Sequence, residues 1–443
     1  MSITTDKPGN KIRGGERGTV TAVVKNIGDA TAYQVRAITD SDYRYFDERE
    51  MLFGKVAPGE SRTYSLKLSV SEHELSRTDR IDVHLFEAHG AKLAKGSTTS
   101  IDVSAEGLPR PQFVYGYQVI DDPALGESIV GNGDGALQVG ERVRLRVSLA
   151  NQGEGDALDT WVTLRNRAGE SVFLHEGRKD LGKVTTGNTR AVDLDFELKE
   201  RPQDGDVQLQ LTVSDNKIAE ALSERIHLPV PERGVSLSKA KGTATATGAI
   251  DLYASPLTPD RTIGRVTKGT VMPAVAEGNG WVRVHLDGGQ MAFAKSSDVE
   301  RGTGNTKAPS VTASFEVSPP KVTLDAALSK TDSESVTLSG MATDEQALRD
   351  VFVTVYNPSR NLFGDREKVY YVASPDPSTG ELKFSAEVPL TPGNNIIEVH
   401  ARQNDDVVAI RRMWVLRTSG LAEARAADHE YTAGGKLRVD TFK

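Results

Sequence analysis

The sequence predicts an all-β protein made of consecutive antiparallel sandwiches, and three observations predict it. One module occurs twice. Gly15-Glu16-Arg17 leads to Val20, Ala22, Val24, Lys25-Asn26 and Gly28, and Gly140-Glu141-Arg142 leads to Leu145, Val147, Leu149, Ala150-Asn151 and Gly153. A second pair of blocks keeps the order: Phe53-Gly54-Lys55-Val56 precedes Gly59 and Arg62, and Leu181-Gly182-Lys183-Val184 precedes Gly187 and Arg190. The offset of about 125 to 128 residues is far longer than a solenoid period of about 20 to 50, so each copy is a whole domain. Next, apolar residues alternate with polar ones, as at Ile81, Val83 and Leu85 or Val207, Leu209, Leu211 and Val213, which places one face of each strand in a core. Finally, turn-forming clusters such as Asn26-Ile27-Gly28-Asp29 and Pro58-Gly59-Glu60-Ser61 separate these short runs.

Taken in order, the first unit covers about residues 3–104, with strands around Val20, Leu66 and Val83. Gly107-Leu108-Pro109-Arg110-Pro111 reads as a stiff linker. The second unit covers about 112–231 and closes at Pro229-Val230-Pro231. A smaller third unit covers about 243–301. A flexible linker at 302–309 leads to a fourth unit at about 310–418, where Val351, Val353 and Val355 alternate and Thr391-Pro392-Gly393-Asn394 turns between two strands. Residues 419–443 have little core-forming pattern and read as a tail. The expected arrangement is an elongated array.

Several of these blocks resemble known families. In the third unit, Leu252-Tyr253, Gly269 and Gly280-Trp281-Val282-Arg283-Val284 follow the order of bacterial SH3-like domains, although Met291-Ala292-Phe293 departs from the usual glycine-tryptophan-valine strand. The fourth unit, with Ser339-Gly340-Met341-Ala342-Thr343-Asp344 and Pro392-Gly393-Asn394-Asn395-Ile396-Ile397, resembles Ig-like domains of bacterial surface and secreted enzymes. The Gly-Glu-Arg and Lys-Asn-x-Gly blocks of the repeated unit resemble CARDB-like adhesion modules. More specifically, Asn10 to Glu16, Phe46 to Lys55, Leu108 to Phe113 and Gly131 to Gly135 resemble the C-terminal region of large bacterial tail-specific serine peptidases, over about residues 8–232. In that family a PDZ-containing core with a Ser-Lys catalytic pair precedes these modules. No such core is in this chain, so the resemblance carries no catalytic residue across. It implies tandem Ig-like/CARDB-like β-sandwiches with one small SH3-like barrel.

Composition narrows the function classes. Lys and Arg total 54 against 62 Asp and Glu, a net charge of −8, which argues against a nucleic-acid partner. No run approaches the roughly 18 apolar residues of a transmembrane segment. Cysteine is absent, which removes disulfides and thiol chemistry and fits either a bacterial envelope protein or a cytosolic one. The segment Met1-Ser2-Ile3-Thr4-Thr5 lacks a signal pattern and reads as the start of a strand or linker, with the natural chain expected to begin upstream.

Two groups of residues are candidate sites. Asn132-Gly133-Asp134-Gly135-Ala136-Leu137-Gln138-Val139-Gly140-Glu141 has alternating oxygen ligands, a glycine at the bend and a late carboxylate, the logic of a calcium loop. Val130 stands where the first acidic ligand belongs, so Asp121 or Asp122 would fold back to replace it. The candidate metal ligands are Asn132, Asp134, Gln138, Glu141 and Asp122, and calcium is the cofactor they imply. The alternative is an Asn/Gly/Asp turn into a strand with no metal. The first repeat has Lys11-Ile12-Arg13-Gly14-Gly15-Glu16 at that place, so Glu16 and Glu141 are explained by the shared fold and the acidic loop by addition. In the small barrel, Tyr253, Trp281 and Phe293 are candidate ligand-binding aromatics, since polyproline peptides dock on such rings. The alternative is that Trp281 and Phe293 fill a small core. The eight histidines are scattered, no H-E-x-x-H, G-x-S-x-G or phosphate loop occurs, and the Ala94-Lys95-Gly96-Ser97 stretch reads as a turn into a strand.

The expected function is a non-catalytic accessory region of an exported tail-specific peptidase, located in the cell envelope, periplasmic or secreted. It positions an upstream peptidase core or binds protein or peptidoglycan ligands. A stand-alone surface or adhesion protein and a cell-wall-binding module acting through the barrel are the alternatives, and a stand-alone enzyme is the least favoured.

Overall fold

A computed structural model describes residues 1–41, 43–88, 98–259, 261–315, 317–325, 328–357 and 365–419. The turn expected at 94–97 falls outside them, as does the expected tail beyond residue 419. The protein is all-β: apart from strands, the regular elements among the described residues are 3-10 turns of three residues.

The first sandwich packs a three-stranded sheet (Ser2–Thr5, Arg17–Lys25, Ser61–Ser69) on a five-stranded one (Lys11–Arg13, Thr98–Glu106, Arg77–Phe86, Ala32–Ser41, Glu50–Val56). The alternation causes this directly, because Val20, Ala22 and Val24 turn inward to share a core with Ala37, Ile81 and Val83. In the second sandwich, Phe113–Ile120, Arg142–Asn151, Thr189–Leu198 and Val172–Leu174 form one sheet. Arg178–Val184, Ala157–Asn166, Asp206–Asp215 and Glu220–Pro229 form the facing one. Leu145, Val147, Leu149, Phe196, Leu209 and Leu211 fill the space between.

The residues repeated between the two sandwiches are hydrogen-bond fixtures. Asn26 donates through Nδ2 to the carbonyls of Ala30 (2.8 Å) and Val56 (3.0 Å), and its Oδ1 accepts from the Gly28 amide (3.0 Å). Asn151 donates to Gly155 (2.8 Å) and Val184 (3.1 Å) and accepts from Gly153 (3.0 Å). Each asparagine therefore closes its own turn and ties it to the strand ending in Gly-Lys-Val. The Gly15 and Gly140 amides likewise reach the carbonyls of Val70 and Leu198, both at 2.8 Å.

The barrel curls Thr243–Ala246, Ile250–Tyr253, Thr262–Val266, Val271–Gly278, Trp281–Leu286, Gln290–Lys295 and Val299–Gly302 around Leu252, Met272, Val284 and Ala292. The last sandwich faces Lys321–Leu324, Ser335–Thr343 and Glu381–Pro389 against Glu367–Ala373, Asp350–Tyr356, Gly393–Arg402 and Val407–Arg417.

The units do not form an elongated array, and that expectation is corrected. The edge strand Glu220–Pro229 of the second sandwich pairs antiparallel with Val407–Arg417 of the last, from Glu220 opposite Arg411 to Glu224 opposite Val407. One nine-stranded sheet therefore runs through both sandwiches. An open sheet edge presents unpaired N–H and C=O groups, and here two edges satisfy each other. The first sandwich also reaches the last: Lys330 Nζ lies 2.5 Å from Asp47 Oδ2, and the His73 ring packs 4.3 Å from that of Trp414.

Candidate functional site

The acidic loop lies between the second sandwich and the barrel. The Asp121 carboxylate accepts from the amides of Asp134 (2.8 Å) and Gly135 (3.0 Å). Asp134 Oδ1 accepts from the Ala136 amide (2.9 Å), while Oδ2 accepts from the Val235 amide (2.7 Å) and from Gln138 Nε2 (2.9 Å). Glu141 takes the amides of Asn132 (3.2 Å) and Gln138 (2.9 Å). Asn132 Oδ1 accepts from the Asp134 amide, and its Nδ2 donates to Gln138 Oε1. Burial, then the charge of Asp134, pushes Asp121 up to about 7, and burial with the charge of Asp121 pushes Glu141 up to about 7.

Asp122 points elsewhere. It caps the Ala124 amide, accepts from His285 Nε2 (2.9 Å) and lies 3.3 Å from Arg283 Nη2. Burial raises its pKa, but the His285 hydrogen bond, the amide and the guanidinium outweigh that, and the net shift is downward. Arg283 in turn donates to the carbonyl of Gly133. That glycine has φ +76°, and the guanidinium occupies the space a Cβ would need.

The predicted metal ligands Asn132, Asp134, Gln138 and Glu141 are thus brought together, and Asp122 is not part of the group. Calcium needs six to eight oxygens turned toward one point. Here both oxygens of Asp121, Asp134 and Glu141 face N–H donors, an arrangement that holds carboxylates rather than a cation. Among the described residues no group of three or more His, Cys, Asp or Glu side chains is placed to hold a metal. The loop as folded does not fit calcium, and the reading of Asp122 as a ligand is corrected for the same physical reason: its oxygens are taken by an amide, a histidine and an arginine.

The aromatic trio lies at the same joint. Phe293 is fully buried with Ile120, Ile129 and Met291, so residues of the second sandwich cover it. Tyr253 and Trp281 meet edge to face at 5.3 Å and pack, half-buried, on that cluster. Gln118 Nε2 donates to the Met291 carbonyl (2.6 Å), and Arg261 donates to the Tyr117 hydroxyl (2.6 Å), extending the contact. The surface read as a peptide groove is therefore taken up within the chain.

A second joint, marked by no motif in the sequence, brings three sandwiches together. Arg110 of the linker donates to the carbonyls of Ile218 (2.6 Å) and His73 (2.8 Å), from the second and first sandwiches. Glu220 lies 4.0 Å from Arg110 Nε and 3.4 Å from Arg411 Nε, and Arg411 donates to the Val322 carbonyl (2.7 Å). Burial and then the Arg411 charge lower Arg110 to about 10, and burial raises Glu220. Burial, then the Arg110 charge, lowers His73 to about 4. The sequence signal for this joint was slight: Arg411 breaks the apolar run from Val407 to Ile410.

The fold and these joints define the class, a multidomain all-β protein of Ig-like sandwiches whose domains meet through buried polar contacts. No known protein family matches the chain, and no curated protein matches it in sequence. Solved structures match at low overall similarity. Red sea bream transglutaminase is 14% identical, with 52% of this chain and 31% of that one covered at a TM-score of 0.19. The calcium binding domain CBD12 of CALX1.1 is also 14% identical, covering 53% of this chain and 83% of that one at 0.19. Escherichia coli α2-macroglobulin, activated by porcine elastase, is 10% identical and covers 94% and 44% at 0.17. The chain spans about a third of the transglutaminase, and scores this low carry no argument about function. Among the described residues no helix is long and apolar enough to cross a membrane.

Proposed function

We propose that this chain is the non-catalytic accessory region of an exported, cell-envelope tail-specific serine peptidase, binding polypeptide and positioning the peptidase core. The observation that supports it is where the family-like blocks fall. Leu108 to Phe113 carries Arg110, which ties the first and second sandwiches. Phe46 to Lys55 carries Asp47, which holds Lys330 of the last sandwich. Gly131 to Gly135 is the clasp that receives Arg283 of the barrel. These blocks do supply core residues, Phe46, Met51, Phe53 and Phe113, but each also places a polar group at a joint, as expected of a region whose task is to hold domains in one arrangement.

The cell-wall-binding alternative is weakened because Phe293 is covered and Tyr253 and Trp281 are packed at the joint. Calcium has no part in the proposal, given the donors that face the loop's carboxylates.

The test is intact mass and peptide mapping of the protein from its native cell. A product extending upstream into a Ser-Lys peptidase core supports the proposal. A mature product with no such core, and no stable association with one on native purification, overturns it in favour of a stand-alone structural protein.

A further inference from the structure

The turn after Asn26 in the first sandwich carries the fittings that its counterpart in the second uses to hold a passing chain. In the second sandwich the linker crosses the turn after Asn151. The Gln112 amide donates to Asn151 Oδ1 (3.1 Å), the Gln152 amide donates to the Gln112 carbonyl (2.8 Å), and Phe113 then enters the sheet opposite Asn151. Gly153 lets the linker through, because a Cβ there would stand 2.3 Å from the Gln112 nitrogen and 2.4 Å from the Arg110 oxygen.

The first sandwich has the same groups at the surface. Asn26 Oδ1 accepts from the Gly28 amide as Asn151 Oδ1 does from Gly153. Among the described residues the Ile27 amide, counterpart of the Gln152 amide, meets no backbone acceptor. Gly28 takes the place of Gly153 but is exposed, and a Cβ there would meet only Asn26 Oδ1, at 3.4 Å. Its φ lies outside the left-handed region. Neither backbone conformation nor packing therefore asks for glycine at this position, whereas a main chain crossing it does.

The register identifies which chain crosses. Ser2 pairs with Val23 as Gly116 pairs with Ser148, so Met1 takes the place of Tyr115. The pairing with Ser2–Thr5 ends at Val23, and the edge at Val24–Asn26 is open on that side among the described residues. The part of the linker that crosses Gly153 thus corresponds to chain shortly ahead of Met1. One residue differs. Ala30 replaces Gly155, where a Cβ would stand 1.9 Å from the Pro109 oxygen, so a crossing chain has to pass clear of Ala30 and settle at Gly28.

We propose that the Asn26 turn docks extended polypeptide running antiparallel to Val24–Asn26 across Gly28, and that the occupant is the segment leading into Met1 from the upstream peptidase core. Recognition is through main chain: one residue of the segment donates its amide to Asn26 Oδ1 and accepts from the Ile27 amide, as Gln112 does at Asn151 and Gln152. This deepens the accessory-region reading and rests on it for the identity of the occupant, while the docking is testable without it.

The experiment extends the full chain ahead of Met1 with a copy of residues 108–114 and reads single amides after labelling with 15N-isoleucine. Exchange at the Ile27 amide should slow about tenfold relative to the unextended chain, and further with Ala30→Gly. Gly28→Val should leave the melting of the unextended chain unchanged and abolish the slowing in the extended one. Overhauser contacts between the amide of the copied Gln112 and the Gly28 protons locate the segment without any substitution. Unchanged exchange at Ile27 in both the extended chain and its Ala30→Gly form, or slowing that survives Gly28→Val, overturns the docking whether or not a core lies upstream. In a longer native product Ile27 should be protected in the same way. Exchange there as fast as in the unextended chain overturns the occupant and leaves the accessory-region reading standing, whereas a native product with nothing ahead of Met1 overturns both.

Discussion

The two repeats share a skeleton and differ in what surrounds it. Asn26 and Asn151 make the same three hydrogen bonds, yet the turn after Asn26 stands in solvent, with Ile27 90% exposed. The turn after Asn151 is covered by the linker. The Gln112 amide donates to Asn151 Oδ1 (3.1 Å), and the Gly155 amide donates to the Arg110 carbonyl (3.1 Å). Glu16 and Glu141 show the same divergence. Both stand after the repeated glycine, but Glu16 pairs with Lys7 at the surface while Glu141 is buried in the acidic loop. The strand skeleton thus tolerates either an open or a covered end. Added segments, not the sandwich, decide which repeat becomes a joint.

The sharpest way to break this comparison is at the clasp. Arg283→Met leaves Asp122 buried without its guanidinium, and breaking a buried pair costs on the order of 3 to 5 kcal/mol. Calorimetry should then show the barrel melting apart from the second sandwich while the first sandwich is unmoved; a single unchanged transition would mean that the clasp does not couple them. The paired substitutions Asn26→Ala and Asn151→Ala come next. Asn26→Ala frees groups that are exposed or half-buried, whereas Asn151→Ala strands buried ones and also the linker amide of Gln112, so losses of about 1 and about 2 to 3 kcal/mol are expected. Equal losses in denaturant melts would refute the distinction between an open and a covered turn.

The two joints also differ in the sign of their pH response. Asp121 and Glu141 titrate at about 7 in the folded protein, against ordinary values of 3.8 and 4.5. Folded values raised in this way contribute stability below the unfolded pKa, and it is lost as pH rises through about 7. His73, lowered to about 4 from 6.5, contributes nothing adverse above 6.5 and destabilises its joint as pH falls toward 4. Hydrogen exchange, corrected for its intrinsic pH dependence, should show residues 131–138 loosening toward pH 8 and residues 71–76 loosening toward pH 4. Glu141→Gln and His73→Phe should each flatten one response and leave the other. The smallest expected effect is that of calcium. A ligand at 100 times its dissociation constant stabilises by about 2.7 kcal/mol, so melting that is the same in calcium and in chelator is the predicted result, and a rise of that size would restore the metal reading.

The candidate site was half legible in advance. The acidic loop stands out by its alternating Asn and Asp with a late Glu, and the three aromatics by the motif order of the small barrel, and the structure brings both groups to one joint. Their roles were not legible, since an Asp in a glycine-rich turn has the same letters whether it faces a cation or backbone amides. Arg110, Glu220 and Arg411 were harder to find because each is an ordinary charged residue in its own segment, and they matter only together.

By itself the sequence determined the all-β class, the internal repeat and the inward face of each strand, because alternation and turn chemistry act over a few residues and need no distant partner. Tertiary structure alone decided that Glu220–Pro229 pairs with Val407–Arg417, that the barrel's aromatics are covered, and that a cavity opens beneath the seam. Those outcomes depend on contacts between residues more than a hundred positions apart. Local patterns carry no information about which sheet edge finds which, since any open edge offers the same backbone donors and acceptors.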